Sequence, residues 1–385
     1  WLKQPLVLGY IIAGFFVGPN FHLFPTVVEL QNIRTWADIG VIFLLFGLGL
    51  EFSFKKLLKV GGTATTTAII EVTATISLGF LIGKMMGWQT MDCIFLGGIL
   101  GIASTTIIIR AFDELGVKSK KFTGVVLGVL VIEDIVAVVL MVLLSTVAIS
   151  RQFEGAQMIS SILKLGFFLV LWFISGIFLI PTFLKRIGKL ITDETLLVVA
   201  LALCFGMVIL ATEAGFSFAL GAFIMGSILA ETLQGKKIEH LLMPLKDLFG
   251  AIFFVSVGML IDPAILLKYT GPIIAGTLVL LIGKPLFVTI GAMLSGQPLK
   301  TSIQAGMSLS QIGEFSFIIA TLGLTLKVTS EFLYPVAVAI SVVTAFTTPY
   351  MIRLSEPLFY GIQKILPKRW LVSLERYSIG AQSIT

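Results

Sequence analysis

Five ionisable residues stand within long apolar runs of this 385-residue chain: Glu71, Glu133, Asp134, Lys284 and Glu314. Charged groups are costly at the centre of a bilayer, and those that occur there mark functional positions. The sharpest case is the stretch GVLVIEDIVAVVL, Gly128 to Leu140, in which two adjacent carboxylates interrupt an apolar segment. A carboxylate in such a setting can hold a proton or a monovalent cation, but not both at once. Adjacent helical residues project about 100° apart, so Glu133 and Asp134 cannot face one cavity side by side. One can reach a break in neighbouring helices while the other turns toward a partner. Lys284 is the only lysine at comparable depth and is the natural partner, in a pair that opens when a cation arrives. Glu71, Glu314 and Gln311 are secondary candidates, as network or helix-terminus residues.

These residues need elements that span a membrane. The chain is 57% hydrophobic and 12% charged, with a mean hydropathy of +1.05. A soluble domain carries about twice that share of charge. Charge collects between apolar blocks of roughly 17–28 residues, long enough to cross a hydrocarbon core. Each block must satisfy its backbone internally, so each reads as a helix and the chain as an all-α polytopic membrane protein. Twelve helices are expected, at about 5–19, 37–52, 61–83, 92–112, 122–148, 159–184, 194–213, 217–232, 247–262, 270–294, 301–326 and 332–353. Basic residues gather in the even-numbered connections, such as Lys55 to Lys59 and Lys118 to Lys121, and after the last helix. By the positive-inside bias both termini are cytoplasmic, and the net charge of +6 is topology rather than a nucleic-acid footprint. Cys93 and Cys204 are isolated in apolar helices, and His22 and His240 form no ligand cluster. No cofactor is expected.

The sequence also repeats. LGYIIAG (Leu8–Gly14) matches LGAFIMG (Leu220–Gly226), and Gly40, Ile42 and Phe43 match Gly250, Ile252 and Phe253. Gly87, Ile94 and Gly97 match Gly296, Ile303 and Gly306. Five helices map onto five, and an odd number makes the copies enter the membrane from opposite sides. Such inverted repeats belong to secondary transporters with a site near the midplane. The seventh helix has no counterpart before the first copy, so a thirteenth helix is expected upstream of Trp1. Within the copies, GGILGIASTTIII (Gly97–Ile109) and GMSLSQIGEFSF (Gly306–Phe317) place glycines and hydroxyls at the same depth. They read as two discontinuous helices, with Ser104, Thr105 and Thr106 at the first break and Gln311 and Glu314 at the second. Interrupted helix ends offer free backbone groups and dipoles to an ion.

With QPLVLGYIIAGFFVGP (Gln4–Pro19), GVIFLLFGLGLEF (Gly40–Phe52), ASTTIII (Ala103–Ile109), EDI (Glu133–Ile135), Lys284 and SQIGEFSFII (Ser310–Ile319), the whole chain resembles one superfamily. It is the cation:proton antiporters, in the second branch that holds potassium-efflux and bacterial sodium/proton antiporters. The resemblance implies an inverted-repeat antiporter fold of thirteen helices, twelve of them here, with two crossing discontinuous helices. It implies an ion-translocating core at 61–150 and 266–355, and dimerisation scaffold helices at 1–60 and 190–265. A linker helix falls at 151–189, and a basic interfacial tail at 356–385. The implied activity is elevator-like exchange of K⁺ or Na⁺ for protons by a homodimer in a bacterial inner membrane. Asp134 would be the shared cation and proton site, Thr105 and Thr106 would lie at the break beside it, and Lys284 would pair with Glu133. The ion cues diverge: GEFSF is similar to the potassium-efflux signature, whereas an acid at position 133 leans toward electrogenic exchange. A cytosolic regulatory domain or subunit, in members that have one, falls after Thr385. Expected partners are membrane lipid and a second copy.

Other classes need patterns the sequence does not carry. A cation channel builds a filter from repeated carbonyl loops, and an intramembrane aspartyl protease takes its two acids from different helices. A ligand-gated potassium-efflux system is the alternative within the same family.

Overall fold

The computed structural model describes residues 6–21, 29–51, 61–150, 155–187, 192–214 and 216–365, with 367 and 369. All the regular structure among these residues is helical, as expected of a backbone that must bond internally. The first copy contains α1 (Leu6–Val17), α2 (Leu30–Glu51), α3 (Gly62–Met85), α4 (Thr90–Gly101), α5 (Thr105–Leu115) and α6 (Lys121–Ser150). Next come α7 (Gly155–Ile187) and α8 (Asp193–Glu213). The second copy begins with α9 (Phe218–Ala230), α10 (Gly235–Met259), α11 (Pro263–Lys268) and α12 (Thr270–Leu278). A π turn, Val279–Gly283, leads into α13 (Lys284–Leu294), followed by α14 (Leu299–Ser308), α15 (Glu314–Thr325) and α16 (Leu333–Ile365). Eight helical stretches among the described residues are long and apolar enough to cross a membrane.

Three boundaries differ most from the sequence expectation. The second helix begins at Leu30, the ninth at Gly235, and the last runs to Ile365. Charges that end an apolar run do not end a helix. In α10, Ile238 and Leu242 are buried, while Lys236 pairs with Glu239 at 3.3 Å on the exposed side. The extension of α16 carries Glu356, which pairs with Lys300 at 2.7 Å. The short α11 was not anticipated; its cap Asp262 accepts the Ala264 amide at 2.8 Å. Lys55 to Lys59, the connection at 22–28 and the tail from 370 to 385 lie outside the described residues.

The chain divides into two compact units. The first comprises 1–9, 57–137 and 262–385, and the second 10–56 and 138–261. In the second unit, the matched glycines Gly14 and Gly226 make matched contacts. A Cβ on Gly14 would run into the Val255 backbone of α10, and one on Gly226 into the Phe46 backbone of α2. In the first unit, Gly97 lies against the Ile76 carbonyl of α3 and Gly306 against the Pro285 carbonyl of α13. Those two pairs keep the 209-residue offset of the sequence repeat. Gly87 (φ 74°) and Gly296 (φ 89°) both adopt the left-handed conformation just before an interrupted helix, which glycine alone reaches without strain. The repeat seen in the letters is therefore a repeat in backbone packing.

Candidate ion site at two broken helices

The first interruption spans Ile102 to Ser104, between α4 and α5, with Ile102 (φ −116°, ψ 122°) and Ser104 (φ −96°, ψ 118°) extended. The second separates α14 from α15 and ends at extended Gly313 (φ −126°, ψ −158°). Here the two breaks touch: a Cβ on Gly313 would fall 2.6 Å from Ser104 Cα and 2.8 Å from its nitrogen. Valine at 313 must push the breaks apart. Gly313→Val is expected to cost about 1–3 kcal/mol, read as a lower melting temperature of the purified protein. An unchanged melting temperature would show that this close approach is dispensable.

Unwound backbone in an apolar interior needs side-chain partners, and the break between α4 and α5 has them. Gly101 O accepts from Lys284 Nζ at 3.2 Å, and Ala103 N donates to Glu133 Oε2 at 2.7 Å. Ser104 O accepts from Gln311 Nε2 at 3.1 Å. Ser316 Oγ donates to Ile99 O at 2.6 Å, and Ser341 Oγ donates to Ile312 O of the other break at 3.3 Å. Helix dipoles leave α5 and α15 with positive starts. Glu314 opens α15, and its carboxylate takes hydrogen bonds from Ser104 Oγ (2.7 Å) and Thr106 Oγ1 (3.3 Å) at the start of α5. One carboxylate thus answers two helix N-termini, while Lys284 answers the carbonyl end of α4.

The two adjacent acids of α6 meet different surroundings. Glu133 is fully buried, as are Glu71 and Lys284. Lys284 Nζ lies 3.2 Å from Glu71 Oε1 and 3.5 Å from Glu133 Oε1, so the ammonium sits between two carboxylates. Thr75 Oγ1 donates to Glu71 at 3.4 Å, whereas Glu71 Oε2 and Glu133 Oε1 find no hydrogen-bond donor among the described residues. Asp134 is only partly buried, and its Oδ2 accepts from Thr105 Oγ1 at 3.3 Å. Two buried acids against one buried base leave a formal charge of −1 beside Asp134.

All nine singled-out residues lie in the first unit, and each bonds directly to another of them or to a break. Two details were not foreseen. Glu133 also reaches the break, through Ala103 N, and Glu71 shares Lys284 with it. Ser316, Ser341 and Thr75 escaped notice because a single hydroxyl in an apolar helix most often bonds its own preceding turn. Their only signal was depth, level with the glycine-rich breaks.

Two interrupted helices meeting at an acidic residue, within an inverted repeat, make an antiporter fold. Residues 1–353 match the family described as sodium/hydrogen exchanger, transmembrane, and the chain belongs to that family. It is 33% identical over 361 residues to the putative cation/proton antiporter YbaL of Escherichia coli K12, covering 92% of this chain and 64% of that protein. The chain thus spans less than two thirds of that relative's length. It is 28% identical to the K⁺/H⁺ antiporter subunit KhtU of Bacillus subtilis, covering 94% of this chain and 91% of that one. Among solved structures, the sodium proton antiporter MjNhaP1 of Methanocaldococcus jannaschii shares the fold, with a TM-score of 0.67 at 16% identity over 92% of this chain and 91% of that one.

Proposed function

We propose that this chain exchanges a monovalent cation, K⁺ or Na⁺, for protons, with Asp134 as the group that binds either one. The observation that carries the reading is the contrast within α6. Glu133 is locked to the Ala103 amide and to Lys284, while its neighbour Asp134 stands partly open beside the Thr105 hydroxyl. A dehydrated cation needs oxygen ligands, and this end of α5 supplies Thr105 and the Ser104 segment. Proton and cation compete for one carboxylate, so each leaves when the other arrives, which couples their fluxes. Lys284, held between Glu71 and Glu133, is the switching cation of the cycle. The core formed by the broken helices moves as an elevator against scaffold helices, in a homodimer in a bacterial inner membrane. The relatives named as cation/proton and K⁺/H⁺ antiporters support this activity.

Purified protein in proteoliposomes, with an imposed pH gradient and added Na⁺ or K⁺, tests the reading. Cation-triggered proton movement accompanied by voltage is expected. Proton movement without voltage would refute the switching role of Lys284, and no response to either cation would refute the activity. The triple variant Glu71→Gln/Glu133→Gln/Lys284→Gln removes the switch at neutral charge, and it is expected to exchange ions without voltage.

A further inference from the structure

One cavity of the first unit has no part in the ion site. About 390 Å³ in volume, it lies among the end of α5, the start of α6, the start of α14 and the Ile352–Glu356 segment of α16. Four cations line it, Lys120, Lys121, Lys300 and Arg353, with two carboxylates, Glu114 and Glu356. Both carboxylates already have partners: Arg110 Nε reaches Glu114 at 3.2 Å, and Lys300 Nζ reaches Glu356 at 2.7 Å. Lys121 and Arg353 have no ion-pair partner among the described residues, and Lys120 acts on Glu356 only from beyond contact distance. Membrane topology asks only that basic residues populate a connection. It does not require lysines of one connection to meet an arginine from a helix distant in sequence on a single concave surface.

We propose that this cavity binds a phosphoryl group, carried either by an anionic phospholipid or by a soluble phosphate. An arginine fork and two lysine point charges suit phosphate oxygens, which can take several charge-assisted hydrogen bonds at once. Leu115, Phe122 and Ile352 supply an apolar floor, which lowers the local dielectric and strengthens the attraction. The volume lies in the range of small-ligand sites. On the same helix as Arg353, Tyr350 and Leu354 are 55% and 53% exposed, a surface that acyl chains can cover.

Isothermal titration of the purified full chain tests the assignment with two probes, dihexanoyl phosphatidylglycerol and inorganic phosphate. Dihexanoylglycerol and chloride at matched ionic strength serve as controls without a phosphoryl group. One saturable site is expected for at least one probe, weakened at least about tenfold in Lys121→Gln/Arg353→Gln. Glu356→Gln, which frees Lys300, is expected to tighten it, so the assignment stays testable if the double variant folds poorly. Binding of the phosphatidylglycerol alone identifies a lipid site, and binding of phosphate alone a soluble ligand. Absence of saturable binding for both probes, or affinities equal to wild type in both variants, overturns the assignment.

Discussion

Asp134→Asn is expected to abolish cation-driven proton movement in proteoliposomes, leaving no more than about 1% of the wild-type rate, while the protein keeps its melting temperature. Asparagine preserves the acceptor for Thr105 Oγ1, so the 3.3 Å contact survives. It removes the negative charge on which proton and cation compete, and with it the coupling. Asp134 is partly exposed, and the substitution changes charge without changing the size of the side chain. Pronounced pH-driven exchange in this variant would eliminate Asp134 as the carrier and direct attention to Glu314, the other partly buried acid at the breaks.

The second large effect concerns folding. Lys284→Met leaves Glu71 and Glu133 facing each other with no base, both fully buried. Removing one partner of a buried ion pair typically costs about 3–5 kcal/mol. Here one ammonium serves two carboxylates and also holds the Gly101 carbonyl at 3.2 Å. Lys284→Met is therefore expected to lose most of its folded yield, measured by fluorescence-detected size exclusion. The triple variant with Gln at 71, 133 and 284 should recover a monodisperse peak, because it leaves no buried charge. Equal yields for single and triple variants would mean that charge imbalance is not what destabilises the single one.

Much of this was legible in the letters for physical reasons. Glycines and hydroxyls in one membrane helix can be a packing face, but their recurrence at matched depths in both copies marked the two breaks. Charges between apolar runs marked the connections but misplaced helix ends, since α10 and α16 continue where their hydrophobicity stops. The partner of Lys284 was half legible. Periodicity sets Glu133 and Asp134 about 100° apart but does not say which third helix supplies another acid. Glu71 comes from α3, brought there because Gly291 of α13 lies close against Thr67. A close approach between distant helices has no local signature beyond a glycine.

The repeat carries a consequence for assembly. The 209-residue offset maps Glu71 to Leu280 and Lys284 to Thr75, so neither charge is reproduced in the other copy. The first half of the chain brings Glu71 and Glu133, and the second half brings the lysine that pairs with both. Each half alone carries an unpaired charge destined for an apolar interior. The duplicated halves have become complementary in sign, as two different subunits would be. Severed in the connection before α8, neither fragment should accumulate in a membrane by itself, whereas co-expression should rescue both.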